Sequence, residues 1–316
     1  MENVKVSGVD NAQSVEVSNK AGTTDKKTLL KGCLLTLAGA LCWGANATVA
    51  KYMFKEYSMN PLWMVCLRQM GAAICFLIAS YMYNRPQLKA AIRNKHDLLQ
   101  IVMVGVFAIS TLNFAYIVAI DRTNSATATV MQTLATVMVL VYTSVKSWKM
   151  PNGKELLGVA LAIIGTFLLA TGGNINKLEL PLDGIIWGLI TALGAALLAI
   201  LPVKMLDKYG SFVVNGLAMF IVGIPLLAFI QPWNMMPNLD AFGVILCVLV
   251  VVIGSFGGYA LFLAGTEKVG SMRASLIGAA EPLMAIITSM VFLNATYSVV
   301  EFIGFTLIIL MLFLTA

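Results

Sequence analysis

Long apolar stretches alternate with short polar connections along almost the whole chain. Ten of them, near 32–52, 61–83, 97–119, 125–147, 153–172, 184–203, 211–231, 240–264, 271–293 and 298–315, reach or approach the roughly 20 residues a helix needs to cross a bilayer. The connections are too short to hold a separate soluble domain. Residues 1–28 break the pattern. They are polar and lack an apolar core, so they read as a disordered tail and not as a cleavable signal peptide. Lys26, Lys27 and Lys31 then lead into the first stretch, which reads as an uncleaved signal anchor.

The second half of the pattern repeats the first. A shift of 145 positions carries Phe114, Ala115, Ala119, Thr143 and Ser144 onto Tyr259, Ala260, Ala264, Thr288 and Ser289. One further residue of shift carries Glu155, Gly158 and Phe167 onto Glu301, Gly304 and Phe313. Five spans per copy is an odd number, so the second copy must enter the membrane upside down. Many secondary transporters are built this way. The expected fold is therefore an all-α membrane protein of ten transmembrane helices in two inverted five-helix repeats. The repeats run over residues 29–172 and 184–316, joined by a linker at 173–183.

Composition agrees with a membrane protein: 59% of residues are hydrophobic and 11% charged, where soluble domains carry about 25% charged residues. The formal charge of +6 does not indicate nucleic acid, because the basic residues lie between apolar stretches and form no patch. Their sidedness gives an orientation instead. Lys26, Lys31, Arg85, Lys89, Arg93, Lys95, Lys146, Lys204, Lys208, Lys268 and Arg273 fall on the side of the N-terminus, against Lys51, Lys55, Arg122 and Lys177 on the other. The positive-inside rule then places both termini in the cytoplasm and the chain in the plasma membrane.

Two charges lie deep within apolar stretches, Arg68 in the second and Glu281 in the ninth. An acid at the centre of a spanning helix costs about 2.5–3.5 kcal/mol on the translocon scale, so it faces a cavity or a partner. Pro282 follows Glu281 and frees the carbonyl of Gly278, so acid, open carbonyl and kink coincide. Two readings follow: a substrate or proton site, or a neutral hydrogen-bonded acid that locks helix packing. Arg68 reads as a structural ion pair or an interfacial anchor.

Thr129, Gln132, Thr133 and Thr136 share one face of the fourth stretch at i, i+3, i+4, i+7 spacing. Asn113 and Tyr116 are i, i+3 neighbours in the third, and Asn46 follows Trp43 by a turn in the first. These groups line a cavity or form an interhelical hydrogen-bond network. Gly254 and Gly258 read as a GxxxG packing motif. The five cysteines have no metal-like spacing and read as small packing residues, and the single His96 can build no metal site alone. No cofactor is expected.

Other classes find little support. No GxxxxGK[ST] is present to couple ATP hydrolysis to transport, and no HExxH or GxSxG suggests a membrane enzyme. A channel remains the competing class, although no connection resembles a selectivity filter.

Trp43-Gly44-Ala45-Asn46 with Lys51, Arg68 after Pro61, Asn124 to Thr129, and Glu281-Pro282-Leu283 together resemble the motif order of EamA transporters of the drug/metabolite transporter superfamily. The resemblance covers residues 30–316. It implies a carrier with a central cavity lined by the first, third, fourth, sixth, eighth and ninth helices, and a small metabolite such as an amino acid or amine as substrate. Residues Thr127 to Gly173 and Leu201-Pro202 to Trp233 look most like a branch containing choline carriers. That branch implies an aromatic cage for a quaternary ammonium, to which Trp43, Tyr116, Tyr259 and Phe262 would contribute. The expected substrate-binding set is Trp43, Asn46, Asn113, Tyr116, Gln132, Tyr259 and Glu281. Glu281 would bind a cation or proton. The protein would act by alternating access as a monomer or homodimer in the lipid bilayer.

Overall fold

The computed structural model describes residues 26–148, 150–174 and 178–315. Most of the expected tail, part of the linker and Lys177 therefore lie outside the described residues. Among the described residues, nine helices are long and apolar enough to span a bilayer: α1 (Lys26–Glu56), α2 (Pro61–Tyr83), α3 (Lys95–Arg122), α4 (Ser125–Ser147), α5 (Gly153–Thr171), α6 (Leu182–Ile200), α7 (Ser211–Ile230), α8 (Ala241–Val269) and α9 (Arg273–Leu293). The tenth, α10 (Val299–Thr315), has 17 residues. It extends about 25 Å, slightly less than the ~30 Å hydrocarbon core. Helix α1 already begins at Lys26, inside the stretch expected to be tail.

Local sequence sets the helix ends. Asn60 caps α2, its Oδ1 accepting from Leu62 N–H, with Pro61 at the first helical position. Asn152 and Glu155 form a reciprocal capping box at α5. Two short helices, Arg85–Arg93 and Val203–Tyr209, connect α2 to α3 and α6 to α7. Both lie on the face where α1 begins (the terminal face), and they pack on each other through Ala91, Met205 and Tyr209. The opposite face is termed distal.

Helix pairing obeys the repeat. Helix α1 packs on α8 and α9, and α6 packs on α3 and α4. Helix α2 packs on α7, and α5 on α10. Exchanging the repeats maps each pairing onto another or onto itself, as a pseudo-twofold axis requires.

Backbone irregularities repeat as well. The shift of 145 that carries Phe114 onto Tyr259 carries Gly105 onto Val250, where π-helical stretches begin in α3 (Gly105–Ser110) and α8 (Val250–Gly257). At each, a hydroxyl bonds the carbonyl five residues back: Thr111, just after the first stretch, to Val106 at 3.1 Å, and Ser255, within the second, to Val250 at 2.9 Å. Helix α4 is interrupted after Ser125–Gln132 and α9 after Ser271–Gly278. At both breaks the backbone tightens to i→i+3 bonds, Thr133 to Val130 and Ala279 to Leu276. In α4, which has no proline, the Thr133 hydroxyl also bonds Val130 O at 2.7 Å, a pattern that bends helices.

The halves created by these breaks differ in burial. The distal halves, Ser125–Gln132 of α4 and Ala280–Leu293 of α9, pack against each other, and the former also packs on α1. The terminal half of α4, Ala135–Ser147, buries no residue and packs on α5, α6 and α10. The terminal half of α9 packs on α1 and α8. The group α1, α8, α9 therefore meets the group α3, α4, α6 toward the distal face and diverges from it toward the terminal face.

Candidate functional site

Between these two groups lies a cavity of about 310 Å³, at the lower end of the usual range for small-ligand sites. All seven residues expected from the sequence line it: Trp43, Asn46, Asn113, Tyr116, Gln132, Tyr259 and Glu281. Arg68 of α2 and Asn215 and Met219 of α7 join them, so the wall includes two helices beyond those the resemblance implies.

The polar groups fall into two sets. Three are already engaged by the scaffold. Asn113 donates to Gln69 Oε1 (3.2 Å), and Gln69 in turn donates to Ser110 Oγ and Met219 O, both at 3.2 Å. The Tyr116 hydroxyl meets Thr129 Oγ1 at 2.8 Å. The Tyr259 hydroxyl accepts from Asn215 Nδ2 at 2.6 Å, while its ring stands edge-on to Phe76. These networks hold the ring and amide planes of the wall in place.

Trp43, Asn46, Gln132 and Glu281 form the second set: their polar ends have no hydrogen-bond partner among the described residues, although they line the cavity. Trp43 is fixed by its ring, 4.9 Å from Phe262 and 6.3 Å from Tyr259 between centroids. Gly258 gives it room, since a Cβ there would lie 2.9 Å from the indole. Gly254 does the same for Asn46, whose side chain occupies the place of the missing Cβ. The GxxxG pair thus serves packing, as its spacing predicts, and the side chains it admits are those of the site. Gly44 lets α1 lie directly on the Glu281 carbonyl.

The interruption of α9 puts Glu281 in the first turn of its distal half. The kink expected at Pro282 is present, and because α4 breaks at the equivalent place without a proline, Pro282 is not its sole cause.

Arg68 departs from the sequence expectation. It forms no salt bridge among the described residues and lines the cavity. Its Nε and Nη1 are buried without any hydrogen-bond partner, and its guanidinium lies 5.7 Å from the centroid of the Tyr116 ring. A buried donor left unsatisfied costs about 1–3 kcal/mol, more when charged. Gln69 and Asn215 are supporting residues that the sequence reading missed. The i, i+1 position of Gln69 beside Arg68 was the available signal for the first.

Ten apolar helices in two repeats around a polar, charge-bearing central cavity define a polytopic membrane protein of carrier architecture. The EamA-like transporter family matches residues 30–171 and again 182–316. The chain belongs to that family, whose members are transporters and not enzymes. It is 27% identical over 280 residues to the uncharacterized inner membrane transporter YicL of Salmonella typhimurium, covering 89% of this chain and 93% of that one. It is 20% identical over 282 residues to the uncharacterized transporter YcbK of Bacillus subtilis, covering 86% and 88%. A protein of known crystal structure shares the fold with a TM-score of 0.60 at 14% identity, over 90% of this chain and 95% of that one.

Proposed function

We propose that the protein is a secondary carrier for a small zwitterionic metabolite of the amino-acid class, moved by alternating access. The observation that carries this reading is the pair of opposite charges, Arg68 and Glu281, on the wall of one cavity with no salt bridge between them. A carboxylate on the substrate supplies acceptors for the orphaned guanidinium N–H groups. Its ammonium neutralises Glu281, and the free ends of Asn46, Gln132 and Trp43 complete the shell. A proton on Glu281 offers the alternative occupant when the cavity is empty, which would couple transport to the proton gradient.

The basic residues of the terminal face support a cytoplasmic position for both termini. The relative from Salmonella, named an inner membrane transporter, fits the plasma membrane as location. With that orientation the distal closure is the extracellular gate, and the structure is the inward-open state.

A thermal-shift series on purified protein tests the substrate class. An amino acid should stabilise the protein, whereas the amine lacking its carboxylate and the acid lacking its amine should not. Stabilisation by the amine alone would instead favour a second reading, a quaternary-amine carrier. The Trp43, Tyr259 and Phe262 rings beside Glu281 support that reading.

A further inference from the structure

Among the described residues, one cation crosses between the two helix groups in the extracellular closure. Lys51, at the end of α1, donates from Nζ to Ile120 O at 2.9 Å and Asp121 O at 2.7 Å. These carbonyls belong to the last turn of α3 and follow Ala119, whose O accepts the helix-capping N–H of Thr123. A helix C-terminus presents such unpaired carbonyls and a partial negative charge, so an ammonium is a fitting partner.

The repeat supplies a counterpart. Lys204, just past the end of the sixth span, is placed in the second copy as Lys51 is toward the end of the first span in the first. Unlike Lys51, it is exposed and has no partner among the described residues. The counterpart of the α3 terminus is the end of α8, where Thr266 O accepts the capping N–H of Gly270. Counted from the capping carbonyl at each helix end, the next two carbonyls, of Glu267 and Lys268, take the place of the two that Lys51 holds on α3, and the Glu267 side chain is exposed beside them.

A second pair of contacts separates gate from scaffold. The Tyr57 hydroxyl donates to Asp240 (2.7 Å) on the extracellular face, and the Tyr209 hydroxyl donates to Asp97 (2.6 Å) on the cytoplasmic face. Each joins the end of a repeat's first span to the start of the other repeat's third span. Both lie within one helix group, α1 with α8 and α6 with α3, and both are formed. The lysine contacts cross between the groups, and only one is formed.

The geometry points to Lys204 as the cytoplasmic gate residue of the transport cycle: in the outward-open state it docks on the α8 terminus at Glu267 and Lys268 as Lys51 docks on α3 here, and the two contacts alternate. The inference rests on the carrier reading but not on the substrate.

Distance measurements on the full chain in lipid nanodiscs test it without any ligand. Spin labels on unnatural side chains at Ser147 and Arg273 report the separation of α4 and α9 at the cytoplasmic face. Lys51→Ala should raise the share of the short, closed distance about tenfold, the scale of a lost charge-assisted hydrogen bond. Adding Lys204→Ala should reverse that gain, and Lys204→Arg in its place should retain it. A closed share that Lys51→Ala leaves unchanged, or that survives the added Lys204→Ala, overturns the assignment.

Discussion

Arg68 and Glu281 line one cavity from opposite repeats, yet no salt bridge joins them. Two opposite charges inside a membrane protein ordinarily neutralise each other directly, because each alone is costly there. Held apart, they present a positive and a negative group to whatever occupies the space between. A zwitterion matches that arrangement, and a neutral or singly charged compound satisfies only half of it.

Glu281→Gln keeps the shape of the side chain and removes its charge. Transport should fall roughly ten- to hundredfold, the worth of a charge-assisted hydrogen bond, and the residual rate should lose its dependence on pH. Flux assays across a pH series, with folded protein confirmed by size-exclusion chromatography, read both effects. Normal transport with an unchanged pH profile would contradict the role given to Glu281.

Arg68→Gln should act on selectivity. The variant should lose its preference for an amino acid over the corresponding amine, since the carboxylate no longer gains a partner. Competition for uptake by the two compounds measures this. Relieved of a buried unpaired guanidinium, the variant should also unfold at the same or a higher temperature than the parent. A large loss of stability would show Arg68 to be structural.

Gly254→Ala drives a methyl group into the Asn46 side chain, and overpacking of this kind costs about 1–3 kcal/mol. Gly153→Ala is the control, because a Cβ there meets nothing within 4 Å. The melting temperature should fall for the first and hold or rise for the second. Equal effects would mean that α1 and α8 do not approach as described.

Tyr57→Phe removes the hydrogen bond to Asp240 outside the membrane. That bond, with the Gly243 N–H, holds the Asp240 carboxyl below its usual range, and it pushes the Tyr57 hydroxyl up to about 12. A lowered carboxyl contributes stability above its ordinary pKa of about 4 and loses it as pH falls through the lowered value. A raised phenol contributes below about 10 and loses it as pH rises toward its folded value. Tyr57→Phe should therefore lower the melting temperature by a constant amount between about pH 5 and 9, and by less in stronger acid. A penalty that varies within that window would contradict the bond.

Much of this architecture was legible in the chain, because bilayer thickness fixes span length and an odd span count fixes inversion. The recurrence of Thr143-Ser144 at Thr288-Ser289 located the repeat that the paired π stretches and paired breaks display. Polar residues in apolar helices pointed to the cavity for the same energetic reason. The aim of Arg68 was not legible, since the long stem of an arginine about two turns inside a spanning helix can equally snorkel to the interface, and only helix rotation decides. Gln69 was hidden because its partners, Ser110, Asn113 and Met219, are distant in sequence. The division between engaged and free polar groups depends on such contacts, which spacing along one helix does not encode.

The central claim, a carrier that binds a zwitterion between Arg68 and Glu281, is tested most directly by counterflow. Purified protein in proteoliposomes loaded with an unlabelled amino acid should take up the labelled compound transiently above its equilibrium level. Uptake should saturate, and the overshoot should fall at least tenfold in both Glu281→Gln and Arg68→Gln, roughly the worth of a charge-assisted hydrogen bond. Flux that does not saturate and shows no overshoot, or an overshoot that survives both substitutions, would contradict it.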